Sequence, residues 1–381
     1  MNKGIFALAM GTFSLGITEF MMMGILSVLA ADLGVSISTA GHLISAYATG
    51  VCVGAPLLLF ARRLSLKAIL IVLAALIAFG NGLAALAPEY NTLLAARFIS
   101  GLPHGAFFGV GAIVARKLAR PGHETSAVAF MIAGMTVATL FGVPAGTFIA
   151  ENLSWRWSFA IVALCGLGTL AGVIFMVPRL SALPDRGFKG QFAFLRTLAP
   201  WLIFGGVIFG QIGMYSWYSY IDPQMLHEAH FAPADLSWIM VLAGLGMFVG
   251  NLVSGRMADR YRPSWVSAWV MGMGIPVLIL FYFLCPYKAP ALVLMMAGTA
   301  VLFGSGSPLQ SSIVGYSKGG ELLGGACIQI AYNAGNAIAA WLGGLVIAGG
   351  HSYASTSLLG IPFVALGTTL LAVLYRRYER P

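Results

Sequence analysis

Charge is what this sequence has least of. Only 9% of its 381 residues are Asp, Glu, Lys or Arg against 59% hydrophobic, and mean hydropathy is +0.89. Soluble domains carry about 25% charged residues, so one or several soluble domains are excluded. Acidic residues are rarer than basic ones, 12 against 21. No G-x-x-x-x-G-K-[ST] loop occurs, which excludes ATP-driven work within the chain. The four cysteines, Cys52, Cys165, Cys285 and Cys327, fall in or at the ends of apolar runs without metal-ligand spacing. They read as structural thiols, with no metal and no cofactor. The first apolar run has no cleavage-site pattern and exceeds a signal-peptide core, so a retained first helix is expected. Enzyme chemistry would need paired carboxylates or a metal triad, and the spans hold one deeply placed acid and two separated histidines.

What is present is a series of apolar stretches of about 20 residues, the length that crosses a ~30 Å hydrocarbon core as helix. About twelve are expected: 5–30, 38–61, 66–87, 92–115, 125–150, 155–178, 200–221, 234–258, 264–285, 289–311, 321–348 and 354–375. The fold class is all-α and polytopic. Residues 179–199, a basic and turn-rich stretch, separate a six-helix bundle at 1–178 from another at 200–381. Lys and Arg alternate between loops. With the N-terminus inside, the inner loops hold all of them except Arg156, Lys288 and the intramembrane Arg97. The expected placement is therefore an inner membrane with both termini cytoplasmic. That asymmetry accounts for most of the +9 net charge, and no nucleic-acid partner is needed.

An internal repeat is visible. Span two reads GVCVGAPLLLFARRLSLK and span eight GMFVGNLVSGRMADRYRPS, so Gly50/Gly54 and Gly246/Gly250 form GxxxG pairs at a similar distance from a basic loop. Small residues at that spacing let membrane helices approach closely. Polar stripes then mark the helices that line a water-filled path, because polar side chains avoid lipid. Arg97, Gly101 and His104 share one face of span four. Gln211, Tyr215 and Tyr218 do so in span seven, Gln329, Asn333 and Asn336 in span eleven, and Gln310 lies in span ten. Spans three, six, nine and twelve carry almost nothing strongly polar beyond Asn81 and are expected on the lipid side.

Glu19 sits in LGITEFMMMG, inside an otherwise uncharged run from Gly4 to Ala31. A carboxylate there must be protonated, paired or hydrated. Counting ~1.5 Å per residue from opposite membrane faces brings Glu19 and Arg97 to one depth, where an ion pair would offset the cost of each. A conformational change that alters this balance makes Glu19 a proton carrier, with Arg97 and His104 as partners. A static Glu19–Arg97 ion pair in a passive facilitator is the alternative.

Several stretches carry a resemblance. G-R-M-A-D-R-Y-R, with Gly255, Asp259, Arg260 and Arg262, resembles the loop signature of the major facilitator superfamily, although Arg63 stands where its N-terminal copy would hold the acid. RFISGLPHGAFFGVGA resembles the fourth-helix motif. GVPAGTFIAENLSWRWSF, with Gly142, Pro144 and Gly146, is similar to the glycine-proline motif of antiporters. The whole is most similar to the drug and sugar efflux branch, the arabinose-efflux-permease-like proteins. That resemblance implies two pseudo-symmetric six-helix bundles, a cytoplasmic gate at the Asp259 cluster, and a monomer that exchanges protons for a small-molecule substrate across the lipid bilayer. Amides with aromatic platforms suit sugars, whereas Met21, Met22, Met23, Met131 and Met135 offer adaptable walls for amphipathic drugs.

Overall fold

A computed structural model describes residues 3–61, 64–120, 124–180, 192–317 and 321–379, excluding the side chains of 58–60, 124–126, 129, 259, 307, 311, 314 and 321–323. In lipid every backbone group must find a partner within the chain, and these apolar stretches satisfy that as helices. Among the described residues there is no strand. Helix α1 is broken into α1a (Lys3–Phe20) and α1b (Met22–Asp32), which meet at 51°. It is followed by α2 (Ile37–Ala61), α3 (Leu66–Leu86) and α4 (Tyr90–Leu118). Helix α5 runs as Glu124–Val137, a π-helical turn at Ala138–Gly142, and Val143–Asn152; α6 is Trp155–Met176. Helices α7 (Leu198–Tyr218), α8 (Leu236–Arg260) and α9 (Pro263–Leu284) come next. The last are α10 (Lys288–Gly304 and Gly306–Tyr316), α11 (Glu321–Ala348) and α12 (Ser355–Leu374). Among the described residues ten helices are long and apolar enough to span a membrane, the bent α1 makes eleven, and α2 has the length of a further span.

Local signals fix the starts. Ser65 caps α3 by accepting from the Ala68 amide, and Ser154 caps α6 by accepting from the Arg156 amide. Proline opens α9 at Pro263 and restarts α4 at Pro103, where a missing N–H costs nothing.

The two GxxxG pairs do the same thing twice. A Cβ at Gly50 or Gly54 would run into the Phe98 and Leu102 carbonyls of α4, and one at Gly246 or Gly250 into the Met296 and Ala300 carbonyls of α10. Thus α2 lies on α4 as α8 lies on α10, at matching positions of the repeat. The break after Phe20 in α1 likewise has a counterpart after Tyr218, where α7 ends and a short turn at Ile221–Pro223 begins. Exposed Phe79, Phe175, Phe283 and Leu366 lie on α3, α6, α9 and α12, the four helices expected to face lipid.

Between the two sets of six helices the hydrogen bonds are concentrated away from the basic loops, toward what we term the far end. Ser38 donates to the Gly344 carbonyl, Ser45 to Ala337 and Cys52 to Ile330, so donors every seventh residue of α2 meet acceptors every seventh residue of antiparallel α11. Ser237 of α8 donates to Glu151 of α5, and Asp222 accepts from the Ser27 amide of α1b. All of these bonds lie from Cys52 and Ile330 toward the far end. The molecule is closed at the far end.

Candidate functional site

Glu19 is the penultimate residue of α1a, immediately before the bend, and is 6% exposed. Its carboxylate lies 3.8 Å from His104 Nε2, beyond hydrogen-bond length. The expected direct ion pair with Arg97 does not form. Arg97, fully buried, instead donates from Nη1 to the Thr18 carbonyl at 2.7 Å and from Nε to the Leu43 carbonyl at 3.3 Å. Its guanidinium lies 4.5 Å over the Tyr47 ring and 5.9 Å from that of Phe159, and Nη2 has no partner. The depth calculation set the two residues at one height. It could not set their angle around the helices, and the main-chain carbonyls of α1 and α2 satisfied the guanidinium first.

His104 joins the cluster through its other face. Its Nδ1 is 2.8 Å from the Tyr47 hydroxyl, and its ring stacks on Phe108 at 5.1 Å. Tyr47 thereby touches both Arg97 and His104, a role its sequence position did not signal. The glycines place it there: a Cβ at Gly101 would strike the Tyr47 carbonyl, so the GxxxG of α2 and Gly101 of α4 together draw Tyr47 against the Arg97/His104 face. Thr18 Oγ1 and Asn81 complete the cluster, with Asn81 Oδ1 3.3 Å from the hydroxyl. Asn81, from a helix that otherwise faces lipid, is fully buried.

Across from these, Tyr215 and Tyr218 of α7 are buried in edge-to-face contact at 6.2 Å, and Glu19 acts electrostatically on both. Gln211 is buried beside Gly335 of α11. Asn333 and Asn336 are buried with both Oδ1 atoms unpartnered. Their stripe contributes two free acceptors, while Gln329 and Gln310 are half-buried nearer the basic end. A buried amide oxygen without a partner costs roughly 1–3 kcal/mol, which a hydrogen-bonding ligand would relieve. Phe20, next to Glu19, packs at 5.3 Å on Phe303 of α10.

Gly142, Pro144 and Gly146 are buried against α1, where a Cβ on either glycine would meet Ile17 or Met21. Their α5 segment therefore supports the α1 bend. In the basic loop Arg260 and Arg262 are exposed, Gly255 has open space around it, and the side chain of Asp259 lies outside the described residues. Glu379, not singled out from the sequence, takes a capping position there. Its carboxylate accepts from the Ser264 amide and hydroxyl at the start of α9, and from Tyr316. Burial and the neighbouring Glu379 push the Tyr316 hydroxyl up to about 12.

Comparison with known proteins agrees with this architecture. The family model described as Major Facilitator Superfamily matches residues 8–222. "Putative transporter AraJ" of Escherichia coli (strain K12) is 43% identical over 383 residues, covering 100% of this chain and 96% of that protein. A "Chloramphenicol resistance protein" of Streptomyces lividans is 32% identical, covering 88% and 87%. Among solved structures, a bacterial homologue of the human lysosomal transporter Spinster, described as inward-facing and unoccupied, superposes with a TM-score of 0.76 at 14% identity, covering 98% and 96%.

Proposed function

We propose that this chain, which belongs to the major facilitator superfamily and is a multi-pass membrane transporter, exports small sugars or amphipathic drugs in exchange for protons, with Glu19 as the coupling carboxylate. One observation carries the reading: Glu19 is buried at the α1 bend, and the nearby guanidinium is tied to carbonyls rather than to it. A carboxylate held in a fixed ion pair has no reason to change protonation. One that faces an imidazole at 3.8 Å, with a cation nearby but not bound to it, can take up and release a proton as its surroundings change.

The cycle runs by alternating access. The basic loops lie in the cytoplasm by the positive-inside rule, which makes the far end the outer face and the conformation inward-facing. When the far end opens, Glu19 takes a proton from outside. The halves 1–178 and 200–381, joined by the 179–199 linker, then close over it. On the inner side the field of Arg97 favours the ionised carboxylate and the proton leaves. His104 relays it, Tyr47 fixing the ring through Nδ1 while Nε2 faces Glu19. Substrate binds between Tyr215/Tyr218 and the free amide acceptors of Asn333 and Asn336, with Gln211, Gln310 and Gln329 along the inner path. Asp259, Arg260 and Arg262 with Gly255 act as the inner gate, and Gly142, Pro144 and Gly146 as the α5 bearing on which α1 bends. The transporter works as a monomer in the inner membrane.

The test uses purified protein in liposomes with an imposed proton gradient, offering a sugar and a lipophilic dye. Wild type is expected to move one of them uphill, and Glu19→Gln only downhill. If wild type too moves substrate only downhill, the chain is a facilitator and Glu19 is structural.

A further inference from the structure

Asp222, like Glu19, is a buried carboxylate with no Lys or Arg ion pair among the described residues. It follows the break at the far end of α7, beyond the span Leu198–Tyr218, and is fully buried. Its Oδ2 accepts from the Ser27 amide of α1b at 2.7 Å, a main-chain hydrogen bond across the seam between the halves. Oδ1 and Ser27 Oγ have no partner at hydrogen-bond geometry, although the Ser27 hydroxyl and the Leu26 amide lie near enough to favour the ionised carboxylate in part. Glu151 of α5 and Tyr353 in the turn before α12 lie within electrostatic reach of Asp222, and the cation at this corner, Lys288, acts on Asp235. Glu228, in the turn after Asp222, is taken up by the Tyr353 amide, and Asp235 by the Ala232 amide and Trp238. His227 stacks on Tyr353 at 5.4 Å. No Lys or Arg forms an ion pair with Asp222 among the described residues. Ser27 also lines a recess of about 610 Å³ that opens at the far end between Ser36, Ser38, His227 and Tyr353, so water reaches the edge of the clasp.

We propose that Asp222 is a second proton-binding site, distinct from Glu19, at which a proton from the outer aqueous phase holds the far end shut. A protonated carboxyl keeps one oxygen for the Ser27 amide and removes the uncompensated charge. An ionised one, buried with no cation to balance it, disfavours closure. Burial pushes the Asp222 carboxyl up to about 7, whereas an exposed aspartate titrates near ~4. The sign follows: the closed form binds the proton more tightly, so closure is favoured at low pH and that advantage fades as pH rises toward 7. Because the proton returns to the side it came from, this site gates without adding to the protons exchanged.

The proposal rests on the alternating-access reading but not on Glu19 as its coupling group, and both are separated by working in Glu19→Gln. Spin labels at exposed Glu89 and His351, in protein whose four native cysteines are replaced by serine, report the far-end distance from pH 4.5 to 8. The closed-to-open ratio is expected to fall about tenfold per pH unit up to pH ~7 and then level off. Asp222→Asn should stay closed and flat across that range, and Asp222→Ser, which lacks any carboxyl, should also be flat. A pH response that survives in either folded variant, or a flat response in the parent, overturns the site. In otherwise wild-type protein Asp222→Asn should transport slowly because its far end stays shut; wild-type turnover by it overturns the gating role, whereas uphill transport lost only in Glu19→Gln is the separate test of Glu19.

Discussion

The halves share a packing scheme but not a chemistry. In each, a GxxxG pair seats its helix on two carbonyls four residues apart, Phe98 and Leu102 in one half, Met296 and Ala300 in the other. Carrying that register across, the positions matching Tyr47, Arg97 and His104 are Ala243, Met295 and Leu302, all buried. One half holds a polar cluster where the other holds hydrocarbon. Stability therefore does not require the charges, since an apolar set fills the same frame. Their presence in one half is what the proposed proton coupling rests on, and the facing aromatics and amides of α7 and α11 are the proposed substrate contacts.

The strongest way to break this comparison is to move charge into the apolar half. Met295→Arg would bury a guanidinium in a fully buried apolar core position, at a cost of at least about 2.5–3.5 kcal/mol. Little folded protein is expected, measured as loss of the monodisperse peak on size-exclusion chromatography; a well-folded variant would show that the second frame is as polar-tolerant as the first. The reverse exchange separates fold from function. Arg97→Met copies Met295 into the polar half but leaves Glu19 buried without its neighbouring cation, a loss that replacing both charges together would avoid. The thermal unfolding temperature should fall in Arg97→Met and recover in Arg97→Met/Glu19→Gln, while proton-driven accumulation is abolished in both. Retained accumulation would remove Arg97 from the mechanism.

A smaller effect tests the shared scheme. Gly50→Ala and Gly250→Ala each drive a methyl group into a main-chain carbonyl, of Phe98 and Ala300, and overpacking of this kind costs about 1–3 kcal/mol. Melting temperatures should fall alike. Transport should suffer more from Gly50→Ala, because displacing α2 from α4 withdraws Tyr47 from His104. Equal transport losses would mean the alignment of the two halves carries no functional asymmetry.

This division also explains what could be read in the sequence. Helix number, lipid-facing helices and the GxxxG contacts were legible because each depends on spacing along one helix, and spacing is conserved by the 3.6-residue turn. Arg97 and His104 were legible as one face for the same reason. The Glu19–Arg97 pair was not, since it depends on the angle between two helices and on which acceptor reaches the guanidinium first. Tyr47 was missed because a tyrosine in an apolar span reads as packing until its neighbours are known. Asp222, one residue past the expected end of its span, reads as a loop acid; only the broken end of α7, folding back under α1b, buries it. Glu379 was hidden by sequence distance, more than 100 residues from the Ser264 it caps.

The smallest change sharpens the comparison most. Tyr47→Phe keeps the ring beneath Arg97 and removes only the hydroxyl that meets His104 Nδ1 at 2.8 Å. A single hydrogen bond contributes about 0.5–1.5 kcal/mol net, so the fold should persist with a melting point lower by a few degrees. The consequence for transport is larger than for stability. With Tyr47 in place one imidazole nitrogen is committed and the other faces Glu19; without it both tautomers become accessible, and the nitrogen facing the carboxylate no longer has one fixed role. The pH midpoint of proton-driven transport should therefore move in Tyr47→Phe, while downhill exchange of substrate at constant pH stays near wild type. An unmoved midpoint would confine Tyr47 to packing, and the asymmetry between the halves would then rest on Glu19 and Arg97 alone.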